Sequence, residues 1–61
     1  MNVGKYRKAA GLTQEQLAKK MNVDQSAVSY WESGRTRPLR KSWKKLARVL
    51  GCSVDDLLKE E

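Results

Sequence analysis

The chain has no histidine and one cysteine. One cysteine cannot close an internal disulfide, and without histidine a structural zinc site lacks its ligands. No metal or cofactor is therefore expected. No apolar run approaches the roughly 18 residues needed to span a bilayer, and no signal-peptide pattern is present. These absences predict a cytoplasmic setting with no membrane partner and no evident small-molecule ligand. Catalytic parts are also missing. There is no glycine-rich phosphate loop, and the neighbouring carboxylates Asp55 and Asp56 stand where a helix begins. An enzyme is not expected.

Acidic residues are few where they matter. Between Arg35 and Arg48 there are none, against Arg35, Arg37, Arg40, Lys41, Lys44, Lys45 and Arg48. The whole chain carries 13 Lys and Arg against 7 Asp and Glu, a net charge of +6. That balance favours a polyanionic partner, either nucleic acid or an anionic membrane surface. The stretch from Ser53 to Glu61 reverses the sign, with four acids and one Lys. It should face away from a polyanion.

Sixty-one residues predict one domain, 1–61. A chain this size buries only about 60% of the surface its unfolded form exposes, so its core is small. Five short helices are legible in order. Asn2 to Ala10 is the first, with Val3 and Tyr6 on one face, Lys5, Arg7 and Lys8 making it basic, and Gly11 as its stop. Thr13 can cap a second helix running to Lys20, with Leu17, Ala18 and Met21 at helical spacing. Asn22 suits a left-handed turn residue, and Val23 adds to the apolar set. Asp24 can cap a third helix, to Ser33, with Val28 and Trp31 facing inward and Gly34 as its end. Leu39 to Leu50 is the fourth, with Trp43, Leu46, Ala47 and Leu50 in one stripe, stopped by Gly51. Ser53 caps a last short helix containing Val54, Leu57 and Leu58. Cys52 reads as a small buried hydrophobe.

The second and third helices, with a turn of about three residues and a small Ala at their crossing, are the ingredients of a helix-turn-helix spanning about 13–34. The third helix leaves Gln25, Ser26, Ser29 and Tyr30 on its free face. All four can form hydrogen bonds and none is charged, which is unusual for the solvent face of a helix in a basic protein. Such a helix can present its N-terminal residues to base edges in the major groove. Gln25 can bond adenine N6 and N7 together, whereas Ser26 can meet several bases or a phosphate. Ser29 is small enough to allow close approach. Tyr30 can reach a base edge, a thymine methyl or a phosphate, or can be a partly exposed aromatic packed on its neighbours.

Many positions together resemble one family. Arg7, GLTQEQLA from Gly11 to Ala18, QSAVSYWESG from Gln25 to Gly34, Pro38, Leu46, Ala47 and LGCSVDDLL from Leu50 to Leu58 look like the Cro/repressor type of helix-turn-helix protein of phages, plasmids and bacterial mobile elements. The resemblance implies an all-α compact bundle of five helices, the lambda repressor-like DNA-binding domain. It also implies that Arg7 pairs with Glu32 and lies near the DNA backbone. A phosphate contact by Gln14 is implied, as is use of the loop after the third helix and the next helix start (Arg35, Thr36, Arg37, Arg40) against phosphates. Two positions depart from the family pattern. Asn22 stands where glycine is usual, and Arg40 where an apolar residue is common, so the start of the fourth helix is less well defined.

The function expected is a sequence-specific, double-stranded DNA-binding transcriptional regulator, bacterial or phage-encoded. It would bind a palindromic operator as a homodimer and repress. The apolar residues of the last helix exceed what so small a core absorbs, which points to a dimer contact, with Leu58 as the candidate. The alternative is an antitoxin-like module that binds a partner protein.

Overall fold

A computed structural model describes residues 1–59. Its elements are α1 (Val3–Ala9), α2 (Gln14–Met21), α3 (Gln25–Ser33), a 3₁₀ turn (Arg40–Ser42), α4 (Trp43–Leu50) and α5 (Val54–Leu58). The all-α bundle of five short helices is therefore the observed architecture. Of the four acids expected at the C-terminal end, Glu60 and Glu61 lie outside the described residues.

Local chemistry sets most boundaries. Thr13 starts α2 with a reciprocal cap: its hydroxyl accepts from Gln16 N–H, and the Gln16 side chain accepts from Thr13 N–H. Asn22 ends α2 in the left-handed region at φ 57°, the conformation that asparagine enters more cheaply than other non-glycine residues. Gly34 ends α3 at φ 82°, where any Cβ would be strained. Ser53 accepts from Asp56 N–H and opens α5.

Two boundaries differ from expectation. Asp24 occupies the N-cap of α3 in an extended conformation, but its side chain makes no cap hydrogen bond. A backbone turn from Ala27 N–H to the Asp24 carbonyl (3.0 Å) starts the helix, with the carboxylate near its positive end. The α-helix expected from Leu39 begins only at Trp43. Leu39 is extended, and Arg40 to Ser42 form the 3₁₀ turn, closed by Ser42 N–H to the Leu39 carbonyl at 2.8 Å. Side chains three apart eclipse in such a turn, and the Arg40 guanidinium indeed lies over the Trp43 ring, 5.4 Å from its centroid.

The core is built from Val3, Leu17, Ala18, Met21, Val28, Trp31, Leu46, Ala47, Leu50 and Leu57. α2 and α3 make the most extensive pairing, with α4 closing on α2 and α5 on α4. Tyr6 packs half-buried against this core. Val23 does not join it: the turn turns the side chain outward, to exposure. Trp43 is half-buried rather than core, because its ring lies beside the loop, with Nε1 donating to the Pro38 carbonyl at 3.0 Å. Cys52 is half-buried against the core, and burial together with the nearby Asp56 charge pushes its thiol above the usual range.

Candidate nucleic-acid interface

With Val28 and Trp31 in the core, α3 turns its opposite face outward. Gln25, Ser26 and Tyr30 are exposed there and Ser29 is half-buried. Positions 25, 26, 29 and 30 fall on one side of a 3.6-residue helix, so the structure brings the four expected readers together. That stripe carries no charge. Ala27 is half-buried and packs back on the core.

The orientation of α3 is fixed at its far end by Glu32. The Arg7 guanidinium grips this carboxylate with two nitrogens: Nε donates to Oε2 at 2.5 Å and Nη2 to Oε1 at 3.2 Å. Arg7 Nη1 also donates to the Leu12 carbonyl at 2.7 Å, and Gln14 Nε2 donates to Glu32 Oε1 at 3.2 Å. α1, the loop after it, α2 and α3 are thus tied at one point. Both charged side chains are largely out of water, Arg7 at 12% and Glu32 at 15% exposure. The carboxylate lies so close to α1 that a Cβ on Gly4 would sit 3.2 Å from Oε1, which accounts for glycine inside that helix. Burial works to raise the Glu32 carboxyl, but hydrogen bonds from Arg7 and Gln14, with the charges of Arg7 and Lys8, outweigh it and hold the group below the usual carboxylate range.

The pairing of Arg7 with Glu32 is therefore present. Every nitrogen of its guanidinium has a partner within the protein, which leaves one N–H on Nη1 and one on Nη2 for anything outside. Gln14, half-buried, likewise uses one N–H of its amide inward.

After Gly34 the loop bends along the edge of α3. The Tyr30 carbonyl accepts from Arg35 N–H at 3.0 Å, from Thr36 N–H at 3.4 Å and from Ser33 Oγ at 3.2 Å. The Arg35 guanidinium lies over the Tyr30 ring, 5.1 Å from its centroid. Arg35, Thr36, Arg37 and Arg40 are all exposed, while Pro38 between them is buried. The loop is thus pinned at its start by Tyr30, in its middle by Pro38 and at its end by Trp43. Leu39 stands out from it at 66% exposure.

Sequence reasoning did not find the contacts of Gln14 with Glu32, Arg35 with Tyr30, or Arg40 with Trp43. The last had a local signal in its three-residue spacing. Leu58, the expected dimer residue, is half-buried at the end of α5 and lies outside the core cluster, whereas Leu57 beside it is fully buried. Among the described residues no helix is long and apolar enough to cross a membrane, and no group of His, Cys, Asp or Glu is placed to hold a metal.

Comparison with known proteins agrees with this geometry. A helix-turn-helix family model, HTH_3, matches residues 3–57. The chain is 40% identical over 55 residues to the HTH-type transcriptional activator BcrR of Enterococcus faecalis, covering 90% of this chain and 27% of that protein. It is 34% identical over 55 residues to an HTH-type transcriptional regulator of Archaeoglobus fulgidus, covering 90% of this chain and 79% of that one. To YqaE of Bacillus subtilis, also named an HTH-type transcriptional regulator, it is 35% identical over 60 residues, 98% of this chain and 52% of the relative. The chain thus spans about a quarter of BcrR and about half of YqaE. No solved structure matches it. Five helices in this order, an uncharged outer face on the third and a family match over nearly the whole chain identify it as a member of the Cro/C1-type helix-turn-helix family of DNA-binding transcriptional regulators.

Proposed function

We propose that the chain is a cytoplasmic repressor that reads a palindromic double-stranded DNA operator as a homodimer, with residues 1–61 forming one DNA-binding domain. The observation that carries this reading is the juxtaposition of two surfaces. The stripe of Gln25, Ser26 and Ser29 on α3 can hydrogen-bond and carries no charge of its own, and the exposed Arg35, Thr36, Arg37 and Arg40 follow after it. The first suits discrimination between base edges; the second suits phosphates, which position and supply affinity without reading sequence. Gln14, at the N-terminal end of α2, has one amide N–H left for a phosphate. Arg7 acts first by holding α3, with its two remaining N–H groups turned to the backbone. Occupying a promoter would suffice for repression. Activation would need a contact with the transcription machinery as well, and the Enterococcus relative named an activator is mostly chain beyond the matched part.

The test is selection from a random double-stranded library, followed by salt titration on the winning sequence and on scrambled DNA. The expected result is a two-fold symmetric motif with half-sites about one helical turn apart. Equal, steeply salt-dependent binding to every sequence would leave only a basic surface and would favour the partner-protein alternative. Within that experiment, Gln25→Ala should lose about 1–3 kcal/mol of discrimination and relax preference at one base pair. An unchanged motif would remove Gln25 from the readers.

The dimer is tested at α5. Leu58→Glu should move sedimentation toward monomer and weaken operator binding, while circular dichroism stays unchanged because Leu58 lies outside the core cluster. Sedimentation identical to wild type would place the interface elsewhere.

A further inference from the structure

We propose that Tyr30 is a positioning residue for Arg35 rather than a reader of bases. Three observations converge on it. Its ring lies under the Arg35 guanidinium, with 5.1 Å from centroid to Cζ. Its carbonyl accepts the backbone N–H of Arg35 and of Thr36, so the same residue holds the loop at both main chain and side chain. Tyr30 is 40% exposed, a surface residue on which a cation can stack rather than one sealed into the core. The arrangement recurs at the other end of the loop, where Arg40 lies over Trp43 and the Trp43 Nε1 holds the Pro38 carbonyl. A guanidinium on a ring keeps its N–H edge free, since stacking uses the face and phosphate recognition uses the in-plane donors. The ring therefore removes part of the rotamer freedom of a long side chain before DNA arrives, and so lowers the ordering cost of the contact. Stacking also occupies the tyrosine face that would meet a thymine methyl. Tyr30 thus contributes affinity through Arg35, without adding base preference.

This inference rests on the DNA-binding reading, and the experiment separates the two. Binding is measured by fluorescence anisotropy over a range of salt, on the selected operator duplex and on a scrambled duplex of equal length. Tyr30→Phe, which keeps the ring, should match wild type within about twofold on both. Tyr30→Leu should weaken both duplexes alike by about two- to fivefold, the size expected of one exposed cation–ring contact. Arg35→Ala should reduce the salt slope by about 1. In the Arg35→Ala background, Tyr30→Leu should cost nothing further, because its effect runs through the arginine. An altered base preference in Tyr30→Phe, or a Tyr30→Leu loss undiminished without Arg35, would show that Tyr30 touches DNA itself and overturn the proposal. Unchanged binding by Tyr30→Leu overturns it too. If wild type binds neither duplex, the DNA-binding reading falls and the positioning role with it.

Discussion

Leu17→Ala is expected to remove about 2–5 kcal/mol of folding stability. Leu17 is fully buried at the centre of α2, where that helix meets both α3 and α4. Val28 of α3 and Leu46 of α4, in the same core cluster, are also fully buried, so little of the core is free to collapse into the space left behind. The loss is large relative to the whole. A chain of 61 residues has roughly 3–9 kcal/mol to lose, taking about 0.05–0.15 kcal/mol per residue. Urea denaturation should show a much lower midpoint with an unchanged slope, since the exposed area on unfolding is nearly the same. DNA binding should fail in proportion to the unfolded fraction, with base preference intact in whatever remains folded. Leu39→Ala is the internal control. The same deletion at a residue 66% exposed should change stability by no more than about 0.5 kcal/mol. A loss below about 1 kcal/mol for Leu17→Ala would mean that α2 is not packed as described.

What the sequence made legible divides by distance along the chain. Helix ends were legible where one residue carries the demand: the Thr13 cap, Asn22 and Gly34 at positive φ, and the Ser53 cap. The core stripe was legible because Leu17, Ala18, Met21, Val28, Trp31, Leu46, Ala47 and Leu50 follow a single period. Exposure next to loops was not. Val23 and Trp43 are apolar by type, but their burial depends on the path of the turn and of residues 34–39, which no period records. The start of α4 was misplaced for the same reason. Pro38 is buried and Leu39 after it is extended, so three residues are used in a tight turn before the α-helix can begin. At the candidate interface, the shared face of Gln25, Ser26, Ser29 and Tyr30 followed from spacing. The contacts that hold the surface did not. Arg7 and Glu32 are 25 residues apart, and only the family resemblance brought them together.

That pair gives the second large effect. Glu32→Ala should cost about 1–3 kcal/mol, because it leaves the Arg7 guanidinium at 12% exposure without its carboxylate and takes an acceptor from Gln14. Replacing both partners by apolar residues, Arg7→Met with Glu32→Leu, should cost less than the two single losses together, since no charge is then left stranded. Acid should reproduce the single loss in the wild-type protein. The folded-state carboxyl is held below its unfolded value, so its contribution is fully present above the unfolded pKa of roughly 4.3 and is lost as pH falls through the folded value. The gap in unfolding free energy between wild type and Glu32→Ala should therefore be constant near neutral pH and narrow on acidification below about pH 4. A gap that stays constant down to the acid limit would mean that the Glu32 charge contributes nothing and that the variant acts by lost packing alone. The consequence for DNA follows from where the tie sits. Glu32 holds the end of α3 against α1, so Glu32→Ala should weaken operator binding more than binding to scrambled DNA. Base readout depends on the angle of the helix, whereas the loop arginines can still find phosphates.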